Sequence, residues 1–473
     1  MEYCILFFKI YIFLYFIEYS YFYIIYPFKT RNSNILENEK NLTILFRSLL
    51  NNHIYINIEL GEPRQLIDAF LRTDYTELLL SENKNDINTN SPNPIYEDVE
   101  SQLNCFYNLN KSISKEFTNI SKMSYKAGDH KGRVINDYLH IKNNYDELTK
   151  EKISFILYNT TLGNMPGKLG LRKINSQMDK NYNFIEQMKS LDIIDSYFWM
   201  INYTSEYEGN FIIGEQPHIF DPIHFKEEDL KVDSPFLYTT MSEWGLRFSE
   251  ITFLNKNFRP YHESYFYYEL NYIKGIDEYE VELDKYFNQS ILNGTCFKEY
   301  IKYPYGPHKF FYCDKEKYKN NIKYFPPLLF EHKELEYIFE LNYKDLFIEK
   351  DNKYILLVFF DDFSMRWYLG KPFLKKYHFV INQETKIVGF YKKIHENNIK
   401  NNDKKINFFK SNIFKIIGII IGIIILFVIG IVLGKYYFSD KKKPLNVLDD
   451  EYDYSGKNDE GLSINVEENS NTN

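Results

Sequence analysis

The sequence predicts a mainly β protein with an apolar segment near each end. Aromatic residues are unusually frequent, with 43 Tyr and 40 Phe among 473 residues, and aromatic and β-branched residues favour strands. Short apolar stretches separated by glycine-containing turns recur between residues 52 and 393, a pattern typical of strands joined by turns. Because a compositional bias would also explain the aromatic excess, the turn motifs carry the prediction of the fold.

The most informative motif runs from Gly61 to Leu80 and reads GEPRQLIDAFLRTDYTELLL. It resembles the first active-site strand and turn of the pepsin-like aspartic proteases, a family that includes the plasmepsins. That pattern is G-x-P-x-Q, a short apolar strand, D-T-G-S, and a further apolar strand. The matching residues are Gly61, Pro63, Gln65, Thr73 and Leu78.

Further segments resemble the same family in the same order. They are the flap hairpin around Tyr125, Gly128 and Gly132, Pro166–Leu171, Glu208–Gly214 and Trp367–Tyr377. The resemblance implies a bilobal pepsin-like fold, with an N-terminal lobe over 51–215 and a C-terminal lobe over 216–393. It also implies that Thr73, Tyr125, Gly128 and Gly275 contact the substrate.

The catalytic aspartate of the first motif is missing. Arg72 occupies its place, and Asp74 replaces the turn glycine. We expect Asp74 either to pair with Arg72 or to face solvent, because a buried unpaired arginine is costly. Arginine cannot serve as the acid or base, since its pKa stays above about 12.

The second active-site turn is predicted around Gly275, which fits the turn glycine. This register places Ile273 at the second aspartate position and Lys274 after it. The alternation of Tyr279, Val281 and Leu283 predicts the next half-buried strand.

The family's mechanism requires two carboxylates that share one proton, so Arg72 and Ile273 predict an inactive homologue. Such a pseudoprotease would bind an extended polypeptide or a partner protein in its cleft. One alternative is an active endopeptidase with a displaced dyad, Asp74 and Asp277. Another is a structural or adhesion ectodomain that uses its outer surface.

The ends of the chain predict a type I single-pass membrane protein of the secretory pathway or cell surface. Residues 1–28 fit a signal sequence, with an uncleaved signal anchor as the rival, and 29–50 form a short leader. A stalk over 394–413 precedes a transmembrane helix over 414–435. The segment 416–434 has no charged or polar side chain, and its 19 residues span roughly 28 Å. Residues 436–473 form an acidic cytoplasmic tail.

Glycine pairs in the predicted span lie four residues apart, which permits helix–helix contact, although glycine is also common in membrane spans. The pairs are Gly418 with Gly422 and Gly430 with Gly434.

Cysteine spacing and charge bear on the compartment of the protein and on the ligands that it could bind. The family resemblance implies a disulfide between Cys296 and Cys313, and disulfides require an oxidising compartment. No spacing typical of a metal site occurs, and no cofactor is predicted. The formal charge of −8 includes no basic stripe, which argues against nucleic acid as a partner.

Overall fold

Strands dominate the chain, as the aromatic-rich sequence predicts. A computed structural model describes residues 23–30, 49, 53–82, 106–123, 131–142, 148–158, 167–174, 180–233, 243–258, 262–303, 306–362 and 364–394. These residues belong to one compact unit that ends at Glu396, and a second unit, 397–473, lies outside the described ranges. The mainly β class is confirmed.

Eleven strands occupy the described residues up to 213. They are β1 (Ile24–Thr30), β2 (Ile54–Leu60), β3 (Gln65–Arg72), β4 (Leu78–Glu82), β5 (Phe106–Tyr107), β6 (Glu116–Met123), β7 (Lys131–Lys142), β8 (Leu148–Tyr158), β9 (Gly167–Gly170), β10 (Phe198–Tyr203) and β11 (Glu208–Ile213).

The described residues after 213 add sixteen strands. They are β12 (Leu230–Asp233), β13 (Gly245–Phe248), β14 (Glu250–Phe253), β15 (Lys256–Asn257), β16 (His262–Phe266), β17 (Ile273–Lys274), β18 (Cys296–Tyr303), β19 (Gly306–Asp314), β20 (Leu328–His332), β21 (Tyr337–Leu341), β22 (Phe347–Lys350), β23 (Lys353–Leu356), β24 (Val358–Phe359), β25 (Trp367–Leu369), β26 (Val380–Asn382) and β27 (Ile387–Tyr391).

Helices are few and mostly short in the described ranges. They are α1 (Phe184–Ser190), α2 (Pro217–Phe220), α3 (Asp277–Leu292), α4 (Lys315–Tyr318), α5 (Tyr343–Leu346) and α6 (Lys371–Tyr377), with 3₁₀ turns at Glu227–Asp229 and Ile322–Tyr324. None of the helices in these ranges combines the length and apolar character that a membrane crossing requires. The predicted span 414–435 and its four glycines lie outside the described residues.

Helix α3 corrects one sequence-based expectation. The alternation of Tyr279, Val281 and Leu283 predicted a strand, and that prediction is wrong. The buried residues Tyr279, Leu283 and Phe287 recur every fourth position, whereas Val281 is half exposed. A spacing of four places side chains on one helix face. The helical period is visible once Phe287 is included, but not from Tyr279, Val281 and Leu283 alone.

The largest sheet has the strand order β12-β27-β26-β10-β11-β1-β2-β3-β9-β4-β8-β7-β6. Strand β1 lies inside it, antiparallel to β11 on one side and β2 on the other. Its Ile24 and Phe28 are buried, and Phe28 packs edge-on against Tyr203. The predicted boundary between signal sequence and leader, at residue 28, therefore runs through a strand that is paired on both edges.

One three-strand arrangement occurs twice. In the first repeat, β9 lies between β3, to which it is parallel, and β4, to which it is antiparallel. In the second repeat, β25 lies between β16, again parallel, and β17, again antiparallel. The second repeat belongs to a five-stranded sheet with the order β13-β16-β25-β17-β24.

The registers of the two repeats agree residue by residue. Leu71 pairs with Leu169 in the first, and Phe266 pairs with Leu369 in the second. The residue that follows each central strand's last leucine is a glycine, Gly170 or Gly370.

Close backbone contact requires both glycines. A Cβ on Gly170 would lie 2.6 Å from the carbonyl oxygen of Tyr75, and a Cβ on Gly370 would lie 2.5 Å from that of Leu270. The two repeats therefore share their turn geometry as well as their strand order.

The predicted disulfide is confirmed. Cys296 and Cys313 are bonded, and they are directly opposite partners in the antiparallel pair β18–β19. Both are fully buried. The other short sheets of the described residues have the orders β18-β19-β23-β22 and β15-β14-β20-β21.

Candidate functional site

The two repeats meet where β3 and β16 end. Thr73 directly follows β3, and its hydroxyl lies 3.1 Å from the carbonyl oxygen of Phe266, the last residue of β16. We call the group formed by Arg72, Thr73, Asp74, Phe266 and Glu269 the junction. Thr73 was predicted to contact a substrate, and in the structure its hydroxyl bonds within the junction.

Arg72 and Asp74 form a bidentate ion pair within the junction. The guanidinium donates from Nε and Nη2 to the two carboxylate oxygens of Asp74, each at 2.8 Å. The Asp74 side chain is 8% exposed and that of Arg72 is 23% exposed. Of the two arrangements expected for Asp74, the structure has the local pair. Burial works against the charge of Arg72, but the hydrogen bonds and charge of Asp74, together with the charge of Glu269, raise the pKa of Arg72 further.

Glu269 is the second carboxylate of the junction, and it was not among the predicted site residues. Its Oε2 lies 2.8 Å from the Thr73 hydroxyl, and its Oε1 lies 3.9 Å from Arg72 Nε. Burial raises the pKa of Glu269, and the negative charge of Asp74 adds to that rise. The charge of Arg72, a backbone hydrogen bond of Glu269 itself and the Thr73 hydroxyl oppose the rise without cancelling it. The junction therefore contains two buried carboxylates and one guanidinium.

His53 lies beside this group, immediately before β2. Its ring packs edge-on against Phe70 with centroids 5.5 Å apart. Burial, followed by the charge of Arg72, lowers the pKa of His53 to about 3. His53 is therefore neutral at the pH of any ordinary cellular compartment.

Tyr267 occupies the position in the second repeat that Arg72 occupies in the first. Leu71 and Phe266 pair with equivalent leucines of the two central strands; Arg72 follows Leu71, and Tyr267 follows Phe266. The Tyr267 hydroxyl donates to Glu243 at 2.7 Å, and its ring packs edge-on against Tyr368 at 5.0 Å. Burial and the charge of Glu243 raise the pKa of Tyr267.

The placement of Ile273 differs from the sequence-based expectation. Lys274 pairs with Tyr368 just as Leu79 pairs with Lys168, so Ile273 matches Leu78 in the first repeat. It lies on the strand after the turn, six residues beyond Tyr267. Tyr267, and not Ile273, therefore occupies the position equivalent to Arg72.

The sequence-based register relied on Gly275 as a turn glycine, but a glycine is required at this position for a different reason. A Cβ at Gly275 would lie 2.6 Å from the ring of Phe360 and 3.0 Å from Val358. Close packing beyond β17, rather than an active-site turn, therefore requires a residue without a side chain.

The fallback carboxylates Asp74 and Asp277 each make a structural contact. Asp74 pairs with Arg72, whereas Asp277 begins helix α3 and accepts a hydrogen bond from the Ser364 amide at 2.8 Å. Tyr125 and Gly128, predicted to contact a substrate, lie outside the described residues. Within the described ranges, no three His, Cys, Asp or Glu side chains are grouped as a metal site would need.

The chemistry of the junction follows from the residues at the two equivalent strand ends. Arg72 cannot release its proton at any usable pH, and the Tyr267 hydroxyl is held by Glu243 with a raised pKa. Neither position therefore offers a carboxylate that could exchange a proton with a water molecule.

Sequence reasoning missed Tyr267 and Glu269 although one signal was present. The interval from Tyr267 to Ile273 equals that from Arg72 to Leu78. Matching the two apolar strands, rather than the glycine, would have identified both residues.

Comparison with protein-family models and with curated proteins finds no match for this chain.

Proposed function

We propose that this chain is a catalytically inactive relative of the pepsin-like aspartic proteases that binds an extended polypeptide or a partner protein. One observation carries the proposal: Arg72 and Tyr267 occupy equivalent positions at the ends of the two strands that meet through Thr73 and Phe266. In an active enzyme of that family, these two positions would need carboxylates.

The repeated strand arrangement supports the bilobal fold that the sequence motifs imply. Each repeat brings a strand end, a turn and a central glycine together in the same register. In that family the cleft between the lobes holds an extended peptide through main-chain hydrogen bonds and side-chain pockets. Replacing two carboxylates removes the chemistry and leaves such a groove in place.

The proposal also includes display of this unit on a membrane, on the lumenal or extracellular side. The support is the apolar segment 416–434 and the lysines that follow it, together with a disulfide that needs an oxidising compartment.

A binding assay tests the proposal. The probe is reduced, carboxymethylated casein, an unfolded polypeptide, offered to the full-length protein. We expect saturable binding that Tyr368→Ala weakens at least tenfold, because Tyr368 packs beside Tyr267 at the end of the second repeat. The matched control is Tyr324→Ala, which removes a tyrosine 71% exposed in a 3₁₀ turn and should leave binding unchanged.

Two outcomes would contradict the proposal. Equal losses in Tyr368→Ala and Tyr324→Ala, or no saturable binding at all, would favour an ectodomain that uses its outer surface. Turnover of the bound casein would show that the chain is an active peptidase.

A further inference from the structure

We propose that Glu269 holds a proton in the folded protein and donates it to Thr73, which in turn donates to Phe266. The two repeats would then be joined by a hydrogen-bond chain that breaks when the pH rises enough to ionise Glu269. The hydrogen-bond chain lies within the junction, and its formation does not depend on any ligand.

The Thr73 hydroxyl has fewer hydrogens than its two oxygen neighbours require. A threonine hydroxyl has one hydrogen to donate and two lone pairs that accept. Two oxygens lie within its reach, Glu269 Oε2 at 2.8 Å and Phe266 O at 3.1 Å. An ionised Glu269 can only accept, so the single hydrogen would leave one of these close oxygen pairs unbonded. A protonated Glu269 supplies the second hydrogen, and both contacts become hydrogen bonds.

The other oxygen of the same carboxyl group also favours the protonated form. Glu269 Oε1 is buried, and among the described residues no donor forms a hydrogen bond with it. The side chain as a whole is 4% exposed. A buried carboxylate oxygen without a donor carries a large desolvation cost, and that cost falls when the group is neutral.

The charged and titratable neighbours agree with this assignment. Arg72 is the nearest cation, but both of its bonds of 2.8 Å go to Asp74, and its Nε lies 3.9 Å from Glu269. Two carboxylates that share one cation compete for ionisation. The proton therefore belongs on Glu269, the more buried and less well bonded of the two.

The remaining titratable groups around Glu269 do not supply a charge. They are His53, whose lowered pKa keeps it neutral, and Tyr203 and Tyr267, whose pKa values are raised. Glu269 is therefore the group of the junction that we expect to change its charge as the pH rises above the ordinary glutamate pKa.

The sign of the pH effect follows from linkage. The pKa of Glu269 is higher in the folded than in the unfolded protein, so the folded state binds more protons. The stabilisation is complete below the ordinary glutamate pKa and is lost as the pH rises through the folded value. Between those two values, each pH unit lowers the folded-to-unfolded ratio by up to about tenfold.

Urea unfolding of the full-length protein over this pH range tests the inference. Glu269→Gln provides an uncharged side chain whose amide can donate to Thr73, so its stability should lack the one-proton decline of the wild type. Glu282→Gln makes the same change on helix α3, where Glu282 pairs with Lys285, and should retain the decline. Parallel profiles for the wild type and Glu269→Gln would overturn the inference.

Neutron diffraction from the wild-type protein gives a readout that needs no variant. At a pH just above the ordinary glutamate pKa, we expect a deuterium on Glu269 Oε2 and the Thr73 deuterium directed at Phe266. A bare carboxylate that accepts the Thr73 deuterium would overturn the inference, whatever the variants do.

Discussion

The hydroxyl of Thr73 lies 3.1 Å from the carbonyl oxygen of Phe266, and the two residues are separated by 193 positions in the chain. Each stands at the end of the outer parallel strand of its repeat. The contact therefore fixes the two strand ends relative to one another and brings Arg72, Asp74 and Glu269 into one buried group.

Removal of the Thr73 hydroxyl should destabilise the protein. In Thr73→Val, the Phe266 carbonyl and Glu269 lose their common partner, and an unsatisfied buried polar group costs about 1–3 kcal/mol. Thr73→Ser keeps the hydroxyl and should lose much less. Urea unfolding at mildly acidic pH measures the difference, and equal free energies of unfolding for the two variants would contradict this role.

Removal of the Arg72 guanidinium should take the bidentate partner away from the buried Asp74 carboxylate. We expect Arg72→Met to cost about 3 kcal/mol, the lower end for a buried pair, because Arg72 is partly exposed. Combining it with Asp74→Asn should restore most of the loss, which a double-mutant cycle would show.

The matched control for that cycle is Arg64→Met. Arg64 pairs with Glu59 at 3.4 Å, with side chains 50% and 40% exposed, and such a surface pair contributes less than about 1 kcal/mol. Equal effects of Arg72→Met and Arg64→Met would show that the junction pair is no more important than a surface contact.

Strand β1 should be an essential part of the folded protein. Phe28 is buried between Tyr203 and the backbone of Gly209, so Phe28→Ala should cost about 3–5 kcal/mol. Ile25→Ala, at a position 42% exposed, should change stability by no more than about 0.5 kcal/mol. N-terminal sequencing of the mature protein should find that residues 24–30 are retained, and a mature chain that begins after Thr30 would contradict this.

The disulfide should stabilise the second half of the chain. Cys296 and Cys313 close a loop with a sequence separation of 17, and a loop of this length corresponds to about 3 kcal/mol in the chain-entropy account. The double variant Cys296→Ala/Cys313→Ala should therefore unfold at a lower urea concentration than the wild type. A wild-type protein that unfolds at the same urea concentration with and without reductant would contradict the prediction.

The first repeat could be predicted from sequence because its local signals agree. Gly61, Pro63 and Gln65 precede an apolar strand, and Thr73 follows it; the structure places that strand as β3 and the next as β4. Arg72 and its local partner Asp74 follow from the same alignment and from the cost of burying an unpaired charge.

The second repeat could not be placed from its glycine alone. Gly275 owes its identity to the ring of Phe360, which lies 85 positions away and is invisible to a local motif. Glu269 is buried and bonded to Thr73, which belongs to the other repeat. Both facts depend on contacts between distant parts of the chain, so only the folded structure reveals them.

A cleavage assay on the wild-type protein tests the central claim most directly. Purified full-length chain is incubated with an unfolded protein at mildly acidic pH, beside an active aspartic peptidase, and new amino termini are counted by mass spectrometry. Under the proposed function, Arg72 and Tyr267 occupy the equivalent positions at which an active peptidase of that family would need two carboxylates, so we predict no termini above the blank. Cleavage that is abolished by Asp74→Asn or Glu269→Gln would show that these carboxylates act as a catalytic pair, and the account of an inactive junction would be wrong.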